Sequence, residues 1–181
     1  LDELGLSEST LVIFTSDNGG HTYSRNNPMR DYKATIWEGG TRVPCIVRWP
    51  DVVGAGMVTA QPAITMDWTA TFRRLAGLER DPEGEDGISL LPYLTDPLLN
   101  EERTLFWRRK KGPVRKNVEE GRAVRQGEWK YVEQADGGRF LFDLETDVSE
   151  TANVVDEHLE IVSRLSELLD QWEADVDSNT P

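Results

Sequence analysis

The sequence predicts an α/β protein: part of a mostly parallel sheet with flanking helices, followed by a small antiparallel sheet packed by a C-terminal helix. The first half contains continuous apolar runs, which are typical of strands covered on both faces of a parallel sheet. The second half has short strand-like runs split by Gly-containing turns and ends in a long amphipathic stretch. We therefore divide the chain into an α/β portion, residues 1–98, and a sheet-plus-helix portion, residues 99–181.

The elements of the first portion follow from apolar patterning and from the residues that interrupt it. Leu11–Thr15 and Val43–Trp49 are apolar runs that predict two buried strands. The polar, glycine-containing loop 16–20 follows the first run, at the end of a strand where ligands bind in open α/β sheets. Apolar residues at helical spacing over 64–76, ended by Gly77, predict an amphipathic helix.

The second portion predicts a meander covered by a helix. Three strand-like runs are separated by turns, namely Thr104–Trp107, Ala123–Glu133 and Arg139–Leu144. The last stretch, Val155–Val176, places apolar residues on one helical face. We expect that face to pack on the sheet.

Charge and composition exclude some classes of function. The 181 residues include 20 Lys and Arg against 33 Asp and Glu, a formal net charge of −13. This charge excludes a nucleic-acid binder driven by bulk electrostatics. The longest apolar run, Leu11–Phe14, is far shorter than the roughly 20 residues that a spanning helix needs, so we expect no membrane span. The first residue is Leu1 rather than Met, and we expect a segment upstream of it.

The loop after the first predicted strand offers metal-binding chemistry. Asp17 and Asn18 present a carboxylate and an amide oxygen, and Gly19-Gly20 lets the backbone bend so that both can face one point. Hard oxygen donors suit Ca²⁺ or Mg²⁺. An ordinary Asx turn is the alternative for this tripeptide. Two donors are also too few for calcium, which takes about six to eight oxygens.

Three other residues are candidates for the chemistry of a site. Lys33 is a compact positive charge that could neutralise an anionic oxygen, or simply a solvated loop charge. His21 follows the glycine pair and either lines a pocket or lies on the surface. Cys45, the one cysteine, falls in a predicted buried strand and is expected to be a small hydrophobic residue.

Five segments, taken in order, resemble the C-terminal half of a type I sulfatase. They are LVIFTSDNGG (11–20), KATIWEGGTRVP (33–44), RWP (48–50), GEWKY (127–131) and LFDLETDVSE (141–150). The resemblance covers most of the chain to about residue 155. It implies an alkaline phosphatase-like fold, with residues 1–98 as the C-terminal part of the catalytic domain.

The resemblance also implies roles for individual residues. Asp17 and Asn18 match the calcium ligands of the family, and Lys33 matches the lysine that contacts the sulfate. Glu38–Gly40 and Arg42 match a segment that we interpret as shaping the turn beneath the pocket. The implied activity is that of an arylsulfatase-like sulfuric ester hydrolase, in which a formylglycine made from Cys or Ser attacks sulfur. The resemblance alone implies a periplasmic or secreted location.

The chain departs from the family at the nucleophile. The motif Cys or Ser, any residue, Pro or Ala, any residue, Arg does not occur, and Cys45 is followed by residues that do not match it. We therefore expect the formylglycine and the remaining calcium ligands in a missing N-terminal half, and we expect this chain alone to be inactive. The expected substrate is a sulfate ester, with a sulfated carbohydrate as one candidate.

Two alternatives remain open. One is a phosphate or phosphonate hydrolase of the same superfamily, although Asn18 in place of a zinc-binding histidine favours calcium and sulfate. The other is a non-catalytic module that binds anions or sulfated glycans through the basic run 108–116. Trp107 and Trp129 flank that run and either stack on sugars or are buried against the final helix, and we expect burial.

Overall fold

A computed structural model describes residues 1–21, 23–78, 86–110 and 120–178. The chain forms two compact units, which are described separately. The first comprises Leu1–Asp17 and Pro44–Glu101, and the second comprises Asn18–Val43 and Glu102–Pro181. The division of the chain into domains near residue 98 remains a prediction.

The predicted elements occur in the predicted order, except that the run 123–133 forms two strands and that the short helices Glu38–Thr41 and Leu91–Thr95 were not predicted. A short 3-10 turn over Asp2–Leu4 is followed by β1 (Val12–Thr15), α1 (Glu38–Thr41), β2 (Cys45–Arg48), α2 (Met66–Leu75), α3 (Leu91–Thr95), β3 (Thr104–Arg109), β4 (Gly121–Gln126), β5 (Trp129–Gln134), β6 (Arg139–Asp143) and α4 (Leu159–Ser178). The α/β class is therefore confirmed, with the small antiparallel sheet and the C-terminal helix where the sequence predicts them.

In the first unit, β1 and β2 form an antiparallel pair whose side chains are largely exposed. Phe14 lies opposite Ile46, and these two side chains are 63% and 61% exposed. The prediction that both strands are buried is therefore wrong for this chain. The reason is that the described residues contribute only two strands to this sheet, and a two-stranded ribbon cannot cover its own faces.

Helix α2 confirms the predicted helix but turns its polar side inward. The buried residues are Asp67, Ala70 and Thr71. The Asp67 carboxylate accepts hydrogen bonds from the backbone amides of Ile64 (2.7 Å) and Ile88 (3.0 Å). Phe72, from the predicted apolar face, is 49% exposed and stacks on Trp68. The helix therefore satisfies loop amides on one side and leaves an apolar side uncovered.

In the second unit, β3 to β6 form a meander in sequence order, which confirms the predicted sheet. Alternate residues of the strands enter two separate hydrophobic clusters. The Trp37 cluster consists of Ile36, Trp37, Ala123, Val132, Phe142 and Leu144. The α4 cluster consists of Val124, Tyr131, Leu141, Val162, Leu165 and Leu169. The sheet is thus covered by α4 on one face and by the 36–37 segment on the other.

Helix α4 packs as its apolar stripe predicts. Leu165 and Leu169 are fully buried, and charged groups beside the stripe add ion pairs to the sheet. Arg122 of β4 lies 2.7 Å from Asp170 and 2.8 Å from Glu173. Within the parts of the chain that the structure describes, no helix combines the length and apolar content needed to cross a membrane.

Candidate functional site

The candidate site begins at the loop that follows β1. Asp17 is the last residue of the first unit, and its side chain is exposed. Asn18, the next residue in the chain, is the first of the second unit and is half-buried. The geometry of the loop is set by the two glycines that come directly after Asn18.

The first of these glycines, Gly19, packs against α1 through backbone contacts. The Gly19 amide donates a hydrogen bond to the Gly40 carbonyl oxygen at 2.9 Å. A Cβ atom built on Gly19 would lie 1.8 Å from the Gly39 carbonyl oxygen, and one built on Gly39 would lie 2.3 Å from the Asp31 carbonyl oxygen. Neither position can hold a side chain without moving backbone. The close approach therefore fixes the peptide that follows Asn18.

The same loop receives Lys33. The Lys33 amide donates a hydrogen bond to the Gly20 carbonyl oxygen at 2.8 Å. Asn26 holds Gly20 on both sides, because its Oδ1 accepts from the Gly20 amide (3.2 Å) and its Nδ2 donates to the Gly20 carbonyl oxygen (3.0 Å). Lys33 is half-buried. The second unit thus brings Lys33 to the loop that begins at Asn18.

His21 continues this loop toward solvent. Its side chain is exposed, and its ring centroid lies 6.3 Å from that of Tyr23. Tyr23 is 96% exposed. His21 is therefore next to Gly20 in the chain and accessible, and its role in binding substrate stays a prediction.

The oxygen donors of Asp17 and Asn18 are of the type that a hard cation binds, but two donors are fewer than such a cation needs. The Asp17 carboxylate and the Asn18 amide are oxygen donors of the kind that calcium prefers. As ligands they would supply only two of the about six to eight oxygens in a calcium shell. In the described ranges there is no group of three or more His, Cys, Asp and Glu residues that could hold a metal ion. Further ligands are required to complete a calcium site.

Cys45 differs from its predicted environment. It is exposed on β2 instead of buried, because the β1–β2 pair has an open face. Partial enclosure of the thiol raises its pKa, and a hydrogen bond with Thr15 on the neighbouring strand opposes that shift. A raised pKa disfavours the thiolate, so the thiol is not activated as a nucleophile.

The basic run is partly neutralised by α4. Arg108 lies 3.1 Å from Glu173 and 2.8 Å from Asp177, and Lys110 lies 3.4 Å from the same Asp177 carboxylate. Residues 111–119 of this run lie outside the described residues. Its two flanking tryptophans are partly buried, Trp129 against the α4 cluster and Trp107 against the Trp37 cluster. Trp129 is therefore placed as predicted, whereas Trp107 packs on the opposite face of the sheet.

One ionic cluster beneath the loop was not predicted from the sequence. The Lys130 ammonium lies 2.8 Å from Glu38 Oε1 and 2.9 Å from Glu150 Oε1, and all three side chains are 3% exposed or less. The Glu150 Oε2 accepts a hydrogen bond from the Glu38 amide at 2.7 Å. A sequence signal exists, since Lys130 interrupts the apolar alternation of a strand that is covered on both faces.

Comparison with known proteins assigns the family. Residues 1–78 match the sulfatase family model. Over 94% of its length the chain is 33% identical to the N-acetylgalactosamine-6-O-sulfatase of Bacteroides thetaiotaomicron, covering 37% of that protein. It is 43% identical over 59% of its length to mouse steryl-sulfatase, covering 19% of that protein. The crystal structure of Ps i-CgsB in complex with k-i-k-neocarrahexaose superposes over 95% of the chain and 38% of its own, with a TM-score of 0.79 and 28% identity.

The fold is thus that of the alkaline phosphatase-like sulfatases. Residues 1–78 belong to the sulfatase family by the family model, and the relatives to which the chain is similar are named sulfatases, which are hydrolases. It spans 19–37% of the length of the two curated relatives described here.

Proposed function

We propose that the chain is the C-terminal portion of a calcium-dependent sulfatase, an arylsulfatase-like enzyme that hydrolyses sulfate esters. In this proposal Asp17 and Asn18 are calcium ligands and Lys33 binds the sulfate and stabilises its charge. The observation that carries the proposal is the 2.8 Å hydrogen bond from the Lys33 amide to Gly20, which joins the lysine to the loop that begins at Asn18.

The chain's own residues would act through position and charge. Lys33 would hold one anionic sulfate oxygen as negative charge develops on the ester. Asn18 would present a neutral oxygen donor from a peptide that the Gly19–Gly40 hydrogen bond keeps in place. His21, exposed beside Gly20, would donate a hydrogen bond to the substrate. Bound calcium would supply Lewis-acid stabilisation of the sulfate oxygens.

The uncovered apolar surface of the first unit supports a further partner within the enzyme. Phe14 and Ile46 are exposed on the β1–β2 pair, and Phe72 is exposed on α2. A two-stranded pair is marginally stable without further strands or a covering element. We propose that an N-terminal half of the catalytic domain covers them and carries the formylglycine and the remaining calcium ligands. The 1–98 segment then completes the catalytic domain, and 99–181 forms its C-terminal subdomain.

The substrate class is proposed from the relatives. One relative is named for N-acetylgalactosamine-6-O-sulfate chemistry, and one structural neighbour holds a carrageenan-type oligosaccharide, k-i-k-neocarrahexaose. We propose a sulfated carbohydrate as substrate and, from the resemblance to the family alone, a periplasmic or secreted location.

The proposal is tested first on the coding DNA upstream of Leu1. It predicts a reading frame with Cys or Ser, any residue, Pro or Ala, any residue, Arg, together with additional aspartates. The complete protein should then release sulfate from 4-nitrophenyl sulfate, lose activity on removal of calcium by EGTA, and regain it when calcium is returned. A complete frame without the nucleophile motif, or activity insensitive to EGTA, would contradict the proposal.

A further inference from the structure

The buried ionic cluster of Glu38, Lys130 and Glu150 links residues 18–43, called here the loop-bearing segment, to the C-terminal sheet formed by β3 to β6. Glu38 belongs to α1, whereas Lys130 lies on β5 and Glu150 follows β6, 92 and 112 residues further along the chain. A Lys130 ammonium at 0% exposure between two carboxylates is unusual, because lysine is almost never fully buried without a partner.

The cluster is not an obvious source of stability. Burying charges costs desolvation free energy, and well-packed apolar residues often give equal or greater stability. Glu38 Oε2 makes no hydrogen bond within the described residues and has only the half-exposed Arg42 guanidinium at 3.5 Å. A strictly stabilising role would be served better by packing, so the directional contacts point to a role in fixing geometry.

The geometry that the cluster fixes is that of α1. The Glu38 side chain binds Lys130 and its amide binds Glu150, so both the position and the rotation of this single helical turn are defined. The next two residues are the glycines that contact Gly19, through the 2.9 Å hydrogen bond to Gly40 and the close approach of Gly39. A short path of contacts therefore connects Lys130 to the Asn18 loop.

Arg30 reinforces the same arrangement. Its guanidinium carbon lies 3.7 Å from the centroid of the Trp37 ring, and its Nη1 donates to the Glu150 carbonyl oxygen at 3.3 Å. The Arg30 carbonyl oxygen accepts a hydrogen bond from the Gly39 amide at 2.7 Å. Arg30 and Glu38 thus both contact Glu150, which follows β6, and the two ends of the 30–39 segment are joined by the Gly39–Arg30 hydrogen bond.

We propose that Lys130 is a positioning residue for the candidate site: through Glu38 and Glu150 it fixes α1, and α1 fixes the Gly19–Gly20 peptides that place Asn18 and Lys33. The meaning of this role for sulfate hydrolysis rests on the proposed function, whereas the positioning itself does not. The C-terminal subdomain would then contribute to the site without touching the substrate.

The test compares Glu38→Gln with Glu150→Gln in the 181-residue chain. Each variant removes one negative charge from the same buried cluster and keeps an oxygen acceptor, but only Glu38 lies on the loop-bearing segment. Amide hydrogen exchange is measured by NMR at Gly19, Lys33 and Gly39, with the β4–β5 amides as the reference for global stability.

We expect Glu38→Gln and Glu150→Gln both to accelerate exchange at the three loop amides relative to the sheet amides, by about tenfold for Glu38→Gln, because both side chains hold α1. Leu165→Ala, in the α4 cluster, controls for general destabilisation and should leave the ratio unchanged. Equal ratios in all three variants would overturn the proposal. Exchange is read without any turnover, so failure of the positioning role and failure of the sulfatase assignment are distinguished.

Discussion

Replacing Lys130 by Met tests how much the buried cluster depends on its one cation. The variant keeps the length of the side chain and removes the charge that lies 2.8 Å and 2.9 Å from two carboxylates. Removing one partner of a buried ion pair costs about 3–5 kcal/mol, because the remaining charges are left uncompensated. At an exposed pair the cost is below about 1 kcal/mol. Because the three side chains are 3% exposed or less, the cost for a buried pair applies to this cluster.

The assay is urea unfolding followed by circular dichroism. With an m-value of about 2 kcal/mol/M, the expected loss lowers the midpoint by roughly 1.5–2.5 M. Lys110→Met is the matched control, since this lysine is 66% exposed and lies 3.4 Å from Asp177. We expect its midpoint to change by less than about 0.5 M.

The cost of Lys130→Met should also depend on pH. Burial raises the pKa of the Glu150 carboxyl, and Lys130 opposes that shift. A raised pKa in the folded state means that folding favours the protonated Glu150 carboxyl. The free energy of unfolding therefore falls as pH rises from the ordinary pKa of a glutamate through the raised pKa of Glu150. Without Lys130 the shift is larger, and the loss of stability should therefore be smaller at pH 5 than at pH 8. A loss below about 1 kcal/mol, or one equal at both pH values, would refute the reasoning.

Three further predictions follow from the loop and the exposed surfaces. Gly19→Ala places a Cβ 1.8 Å from the Gly39 carbonyl oxygen and should abolish sulfate release by the complete protein. The control is Gly138→Ala, which should leave sulfate release unchanged because the atoms nearest to its Cβ are side-chain atoms at 3.1 Å. The purified 181-residue chain should release no sulfate from 4-nitrophenyl sulfate, because its sequence lacks the nucleophile motif. Measurable turnover would contradict the prediction that this motif is required. The chain should associate in light scattering through its exposed β1–β2 face, and Phe14→Ser with Ile46→Ser should reduce the association; a wild-type monomer would contradict this expectation.

The sequence predicts the second unit well because its signals are local. The alternation of β3 to β6 and the stripe of α4 each encode both the element and the face that it buries. The first unit differs, because the burial of Phe14 or Phe72 depends on what packs against it. Apolar patterning identifies a face that is suited to burial and does not say whether the cover lies within the same chain.

In the candidate site, too, the features with local sequence signals are predicted and those that depend on tertiary packing are not. The loop at Asp17 and Asn18 and the segment of Lys33 carry recognisable motifs, and the structure adds the Lys33–Gly20 hydrogen bond. Lys130 stands out as a charge in an apolar strand, but its partners could not be predicted, because Glu38 and Glu150 lie in separate segments and neither has a motif of ion pairing. Only the tertiary fold brings Glu38 to Lys130 across 92 residues.

The most direct test of the central claim is kcat/KM for sulfate release by the complete protein carrying Lys33→Ala or Asn18→Ala. Lys110→Ala and Asn100→Ala are the matched controls, since both side chains are exposed outside the candidate loop. If Lys33 and Asn18 hold the sulfate and the calcium, each variant should lose at least about 100-fold, the usual effect of removing one group that stabilises transition-state charge, and the controls should retain activity. Variants at Lys33 and Asn18 that are as active as their controls would contradict the assignment of the site.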